Sequence, residues 1–196
     1  MKAAVILSTY NEPDRLHPTL VGYAQQSQRE FELIVADDGS TDATRRVIQD
    51  VSTRFGMPIK HVWQEDIGFR KCRILNQAIA STHADYLIFS DGDCIPRADF
   101  VDQHARRARP GRFLSGGVVR LSRSLSERVT ADDIADEPGM PARAARGDDD
   151  ALDPAQLELV LGEPAQLCVA LVLEQPAPHH VVQARRLLED LLEHEV

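Results

Sequence analysis

The chain has 196 residues, 43% of them hydrophobic, enough to bury the core of one domain or of a domain with an appendage. A formal net charge of −9 and a pI near 5.2 argue against a nucleic-acid or acidic-membrane surface, because phosphate-rich partners demand a basic patch that survives salt screening. Basic residues still cluster locally, in GFRKCR (68–73) and RARPGR (107–112), so an anionic small molecule stays open.

The first half alternates short apolar runs with amphipathic stretches. AAVILST (3–9) is a continuous apolar run of strand length, and RLHPTLVGYAQQ (15–26) then spaces Leu16, Leu20 and Tyr23 as a helix does. FELIVADDGS (31–40) predicts a second strand ending in turn residues. TDATRRVIQDVSTRF (41–55) opens on a Thr or Asp cap and repeats Val47, Ile48, Val51 and Phe55 on one helical face. IKHVWQ (59–64) predicts a third strand, with Trp63 in the core, and KCRILNQAIAST (71–82) a third helix. DYLIFSDGD (85–93) predicts a fourth strand, buried on both faces.

This order predicts an α/β fold, a mostly parallel sheet with helices on both faces. Such sheets bind ligands at the carboxyl ends of their strands, where strand order reverses. Three polar clusters fall at those ends: STYNE, ADDGSTD and SDGD. Each alone reads as turn or cap chemistry, with Ser40 or Thr41 capping the next helix. All three together, spaced by whole strand–helix units, point to one site.

Asp91 and Asp93 alternate onto one side of an extended segment. Two unpaired carboxylates so close repel each other unless a cation sits between them. Hard oxygen ligands select Mg²⁺ or Mn²⁺, which complete their shells with substrate phosphates. The expectation is a metal–diphosphate site.

The runs ILSTYNEPDRL, VADDGSTDATRRVI and WQEDIGFRKCRILNQAIASTHADYLIFSDGDCIPRADFVDQH resemble, in that order, the nucleotide-sugar-binding half of family 2 glycosyltransferases of the GT-A fold. The third run is similar to the chondroitin-polymerase-like and galactosyltransferase branch. The resemblance covers about residues 1–135. It implies that Thr9, Tyr10, Asn11 and Glu12 lie beside the nucleoside, with Glu12 accepting from the ribose hydroxyls. It implies that Asp37 and Asp38 read the base edge, most often uracil, and that Arg70, Lys71 and Asn76 lie near the diphosphate and sugar. Asp91 and Asp93 become the metal pair, with Asp93 the direct ligand and Asp91 reaching ribose or metal. The implied reaction is metal-dependent, inverting transfer of a sugar from a nucleotide sugar, UDP-linked by expectation, to a saccharide or other hydroxyl acceptor.

That reaction needs a general base, and none is identifiable. After about Glu137 the correspondence stops. Residues 137–156 have linker composition, and Asp148, Asp149 and Asp150 read as a solvated acidic run within it. LELVLGEPAQLCVALVLEQP (157–176) supplies one or two strands or a surface for a protein partner or a second copy. VVQARRLLEDLLEHEV (181–196) reads as an amphipathic helix with Glu189 and Asp190 on its polar face. The division expected is thus a nucleotide-sugar-binding domain (1–135), a linker (136–156) and a short C-terminal segment (157–196). Two other readings stand beside the transferase: a non-catalytic nucleotide-sugar-binding protein, and a nucleotidyltransferase that lacks the usual glycine-rich phosphate loop.

Cys72, Cys94 and Cys168 show no ligand or disulfide spacing and read as buried reduced thiols; His179 and His180 read as loop. MKAAVILSTYNE carries no secretory pattern, and no stretch is apolar enough to span a bilayer. A cytoplasmic location is expected, with peripheral attachment at the inner membrane as an option.

Overall fold

The computed structural model describes residues 1–110, 112–116, 126, 128–136 and 168–172. Strands β1 (Ala3–Thr9), β2 (Phe31–Asp37), β3 (Ile59–Trp63), β4 (Tyr86–Asp91), β5 (Phe113–Gly116) and β6 (Cys168–Val172) form one sheet in the order β3-β2-β1-β4-β6-β5. The pairs β1–β2, β1–β4 and β2–β3 are parallel, whereas β6 runs antiparallel to both β4 and β5. The helices are α1 (Pro13–Ala24), α2 (Asp42–Phe55), α3 (Lys71–Ala80), α4 (Phe100–Arg107) and α5 (Ala131–Asp136).

The continuous apolar runs of β1, β2 and β4 have a direct cause: both faces of each strand are covered. Ala3, Val5 and Leu7 pack on one side with Leu33, Val35, Tyr86 and Ile88, against Leu16 and Leu20 of α1, Ile48 and Val51 of α2, Val101 of α4 and Ile134 of α5. Ala4 and Ile6 point the other way with Ile34, Ala36, Leu87 and Phe89, onto Ile74, Leu75, Ala78 and Ile79 of α3. Period-2 alternation therefore sorts one hydrophobic run into two cores.

The chain moves outward from β1 through β2 to β3, then returns to the other side of β1 with β4. The strand order reverses between β1 and β4, and a crevice opens at their carboxyl ends.

Three expectations change. Trp63 is not core: it is 43% exposed because β3 is the edge strand, and its ring N–H donates to the Ser40 carbonyl at 3.0 Å. Cys72 is exposed and Cys94 half-buried, so neither is a buried thiol. Asp93 does not continue the strand, which ends at Asp91; residues 92–93 turn away from it. Helix α4 is an addition, anchored by Val101 and by His104, whose Nδ1 lies 3.0 Å from the Tyr86 hydroxyl.

Within 157–176, Cys168–Val172 joins the sheet, Tyr86, Leu87 and Ile88 of β4 facing Val172, Leu171 and Ala170. The linker expected over 137–156, its acidic run, His179, His180 and the helix expected over 181–196 lie outside the described residues. Among the described residues no helix is long and apolar enough to cross a membrane.

Candidate donor site

Four segments meet at the switch point around a cavity of about 260 Å³. Ser8 and Thr9 come from the end of β1, Tyr10 and Glu12 from the loop that follows, and Ala36 and Asp38 from the end of β2. Phe69, Lys71 and Ile74 come from the start of α3, and Asp91, Gly92 and Asp93 from the end of β4.

The loop after β1 is clamped to the loop after β2. Asn11 sits in the left-handed region at φ 50°, which asparagine tolerates better than most residues. Its N–H donates to Ser40 Oγ at 2.8 Å, and its Oδ1 accepts from the Thr41 N–H at 2.9 Å. Ser40 and Asn11 thus join two loops, and Thr41 stands at the N-cap of α2 without a side-chain capping bond.

Asp37 and Asp38 divide their labour. Asp37 is fully buried, accepts from the Ser40 N–H at 2.7 Å and pairs with His61 Nε2 at 2.8 Å. Burial pushes its pKa up, but the hydrogen bonds from His61 and Ser40 outweigh burial and hold it below the usual carboxylate value. Asp38 reaches the cavity, accepts from the Arg70 N–H at 2.7 Å and is bonded by the Gln64 amide. It therefore holds the 64–70 loop over the site.

The pair gives a stability prediction. A carboxyl whose folded pKa is depressed stabilises the fold fully above its unfolded value, about 4, and that contribution is lost as pH falls through the folded value. His61→Ala leaves Asp37 buried with less compensation. The variant should lose about 2–4 kcal/mol at neutral pH, and its acid transition should begin at higher pH than that of the wild type. Thermal melts across a pH series check both shifts. His104, whose pKa is lowered by burial and then by Arg107, adds a separate loss beginning nearer pH 6.5 in both proteins.

At the β4 end, Gly92 allows a close approach: a Cβ there would lie 3.0 Å from the Ser8 carbonyl oxygen and 3.2 Å from Thr9 Cβ. The Gly92 N–H donates to that same carbonyl at 2.8 Å. The expected unpaired carboxylates are instead engaged. Asp91 Oδ1 accepts from Ser8 Oγ at 2.6 Å and from Lys71 Nζ at 2.8 Å. Arg15 Nη1 stands 3.9 Å from Asp93 Oδ2 and 3.8 Å from Glu12 Oε2. One carboxylate oxygen each from Asp91 and Asp93 and the Cys94 sulfur lie within 4.8 Å of one another. A turn, and not strand alternation, brings the two aspartates together.

Thr9, Tyr10, Glu12, Asp38, Lys71, Asp91 and Asp93 therefore line one cavity, as the resemblance groups them. Asn11, Asp37, Arg70 and Asn76 do not line it. Asn11 and Asp37 brace the loops, Arg70 turns its guanidinium to the Glu65 carbonyl, and Asn76 is half-buried on α3. Sequence reasoning did not single out Ser8, His61, Gln64 or Phe69. Ser8 had a signal, since it opens the STYNE cluster; His61 and Gln64 act through contacts with distant segments, and Phe69 is an exposed ring at the cavity.

Comparison with known proteins gives the class. The model of Glycosyl transferase family 2 matches residues 4–145, well over half of the chain, and the chain belongs to that family. The uncharacterized glycosyltransferase YfnE of Bacillus subtilis is 36% identical over 107 residues, 54% of this chain and 26% of that protein. Chondroitin synthase of Escherichia coli is 28% identical over 102 residues, 52% of this chain and 15% of that protein. The chain thus spans about a quarter or less of the length of these relatives. The solved mannosyltransferase PcManGT of Pyrobaculum calidifontis superposes with a TM-score of 0.53 at 24% identity, over 60% of this chain and 35% of that one, a likeness of fold. The fold is GT-A, and family membership displaces the nucleotidyltransferase reading.

Proposed function

We propose that the cavity between the ends of β1 and β4 binds a nucleoside diphosphate sugar with a divalent cation and transfers the sugar to a hydroxyl acceptor. The observation that carries this reading is the convergence of Asp38, Lys71, Asp91 and Asp93 on one cavity in a family 2 glycosyltransferase fold. Four chemically distinct demands are met there.

The base edge needs a carboxylate acceptor, and Asp38 supplies it while Asp37 fixes the loop beneath. Tyr10, half exposed, presents a flat face beside it, with its hydroxyl donating to Asp66 Oδ2 at 2.8 Å. The ribose hydroxyls need an acceptor, and Glu12 is exposed at the cavity wall for that task. The diphosphate needs cations, and Lys71 opens α3, whose N-terminal end carries a positive dipole.

The donor set of Asp91 and Asp93 fits Mn²⁺ or Mg²⁺: hard carboxylate oxygens in reach of each other that would hold such an ion at the cavity. Asp93 would be the direct ligand, and Asp91 is held in place by Ser8. When bound, the ion neutralises charge on the diphosphate as the glycosidic bond breaks. Lys71 supports the same developing charge. Direct displacement by an acceptor hydroxyl inverts the anomeric centre, the nucleoside diphosphate leaves, and the hydroxyl proton passes to a base. Glu12, Asp38, Asp91 and Asp93, the carboxylates lining the cavity, are all assigned to the donor, so the base is not among them.

A donor panel of UDP- and GDP-sugars with Mn²⁺, assayed for released nucleoside diphosphate with and without saccharide acceptors, tests the reading. Acceptor-dependent release establishes a transferase, and the product's anomeric configuration by NMR reads the stereochemistry. Donor binding without release in any acceptor mixture favours the non-catalytic binding protein.

A further inference from the structure

Asp91 Oδ1 carries two donors at once, the Ser8 hydroxyl at 2.6 Å and the Lys71 ammonium at 2.8 Å. The ion pair is only partly solvated, the two side chains being 36% and 22% exposed, so screening weakens it incompletely. Lys71 lines the same cavity as both aspartates, on a long flexible stem rooted in the first turn of α3. The ammonium therefore occupies the carboxylate that the donor-site reading gives to a divalent ion. An ammonium and a divalent ion in bonding range of one carboxylate oxygen repel each other, so the two compete.

We propose that Lys71 is a placeholder cation that guards Asp91 against divalent metal until a nucleoside diphosphate arrives. The diphosphate offers the ammonium a second anionic partner inside the same cavity, Lys71 moves onto it, and Asp91 is released to the metal. Metal and nucleotide then enter with positive coupling, each strengthening the other by the same factor. Departure of the nucleoside diphosphate returns Lys71 to Asp91 and loosens the ion, so metal and product leave together. This inference rests on the donor-site reading and adds an order of events to it.

The test measures Mn²⁺ binding to the full chain by the loss of the free-ion EPR signal, with and without saturating UDP or GDP, in wild type, Lys71→Met, Lys71→Arg and Arg15→Met. Wild type should bind Mn²⁺ weakly alone and more than about tenfold tighter with the nucleotide. Lys71→Met should bind Mn²⁺ alone several-fold tighter, bind metal-free nucleotide more weakly, and lose about tenfold of the coupling. Lys71→Arg keeps the cation and should restore weak Mn²⁺ binding. Opposite shifts in metal and nucleotide affinity cannot come from misfolding, and matching thermal melts confirm intact folds. Arg15→Met removes a charge 3.9 Å from Asp93 but not from Asp91; it should shift Mn²⁺ affinity by a similar factor with and without nucleotide and so leave the coupling in place. Unchanged Mn²⁺ affinity and coupling in Lys71→Met, or the same loss of coupling in Arg15→Met, overturns the placeholder. Failure of wild type to bind UDP or GDP with Mn²⁺ overturns the donor-site reading as well, a separate and recognisable result.

Discussion

Asp93→Ala is expected to abolish metal-dependent binding of a nucleoside diphosphate and to leave the fold intact. Asp93 sits in the turn beyond β4, three-quarters buried, with its carboxylate at the cavity rim and not in either hydrophobic core. Its removal relieves like-charge repulsion with Asp91 and, on the proposed donor-site reading, takes away the ion's direct ligand. Loss of even an outer-shell partner costs about 10–100-fold in metal affinity, so loss of a direct ligand should exceed about 100-fold. Stability should change by about 1 kcal/mol or less. Titration of UDP in the presence of Mn²⁺, paired with a thermal melt, separates the two effects. Unchanged affinity removes Asp93 from the metal site, and a collapsed melt shows that its role is structural.

Gly39→Ala should disrupt both stability and the donor site. Gly39 has φ 103°, a backbone conformation that side-chain-bearing residues rarely adopt. A Cβ there would lie 2.7 Å from Asp66 Cα, 2.7 Å from its Cβ and 2.8 Å from its N. Most of those atoms are backbone, so no rotamer change relieves the clash. The 64–68 segment must move, and it carries Asp66, the partner of the Tyr10 hydroxyl, and Gln64, the partner of Asp38. The expected cost is about 2–4 kcal/mol, with a matching loss of nucleotide affinity. A chemical-denaturation curve and a UDP titration on one sample check both. Wild-type stability would mean that the DGS turn relaxes without consequence.

Residues that act through the local chain were legible. β1, β2 and β4 announced themselves as continuous apolar runs because both faces are covered, and α2 and α3 lie within the segments read as helices, α3 ending at Ala80 two residues before the expected end. The STYNE, ADDGSTD and SDGD clusters were readable as one site because a parallel sheet brings every strand's carboxyl end to one edge, whereas Lys71 entered only through the family resemblance. Residues that act across the chain were not legible. Gln64 holds Asp38 over 26 residues, and His61 pairs with Asp37 over 24; neither stands out in its own segment. Trp63 was misplaced because composition does not reveal that β3 lies at the edge of the sheet. Helix α4 stayed hidden in FVDQHARR because only Val101 and His104 bury, too few to set a period. The pairing of β6 with β4 and β5 joins segments more than 50 residues apart, beyond any local pattern.

The central claim is that the crevice between β1 and β4 is a metal-dependent nucleotide-sugar site. Calorimetric titration of UDP and GDP into the full chain, first with Mn²⁺ and then with excess chelator, tests it most directly. Saturable one-to-one binding with Mn²⁺ that weakens more than about tenfold when the ion is removed is the expected result. Heats indistinguishable from dilution for both nucleotides with Mn²⁺ and Mg²⁺, or binding that ignores the chelator, would contradict it.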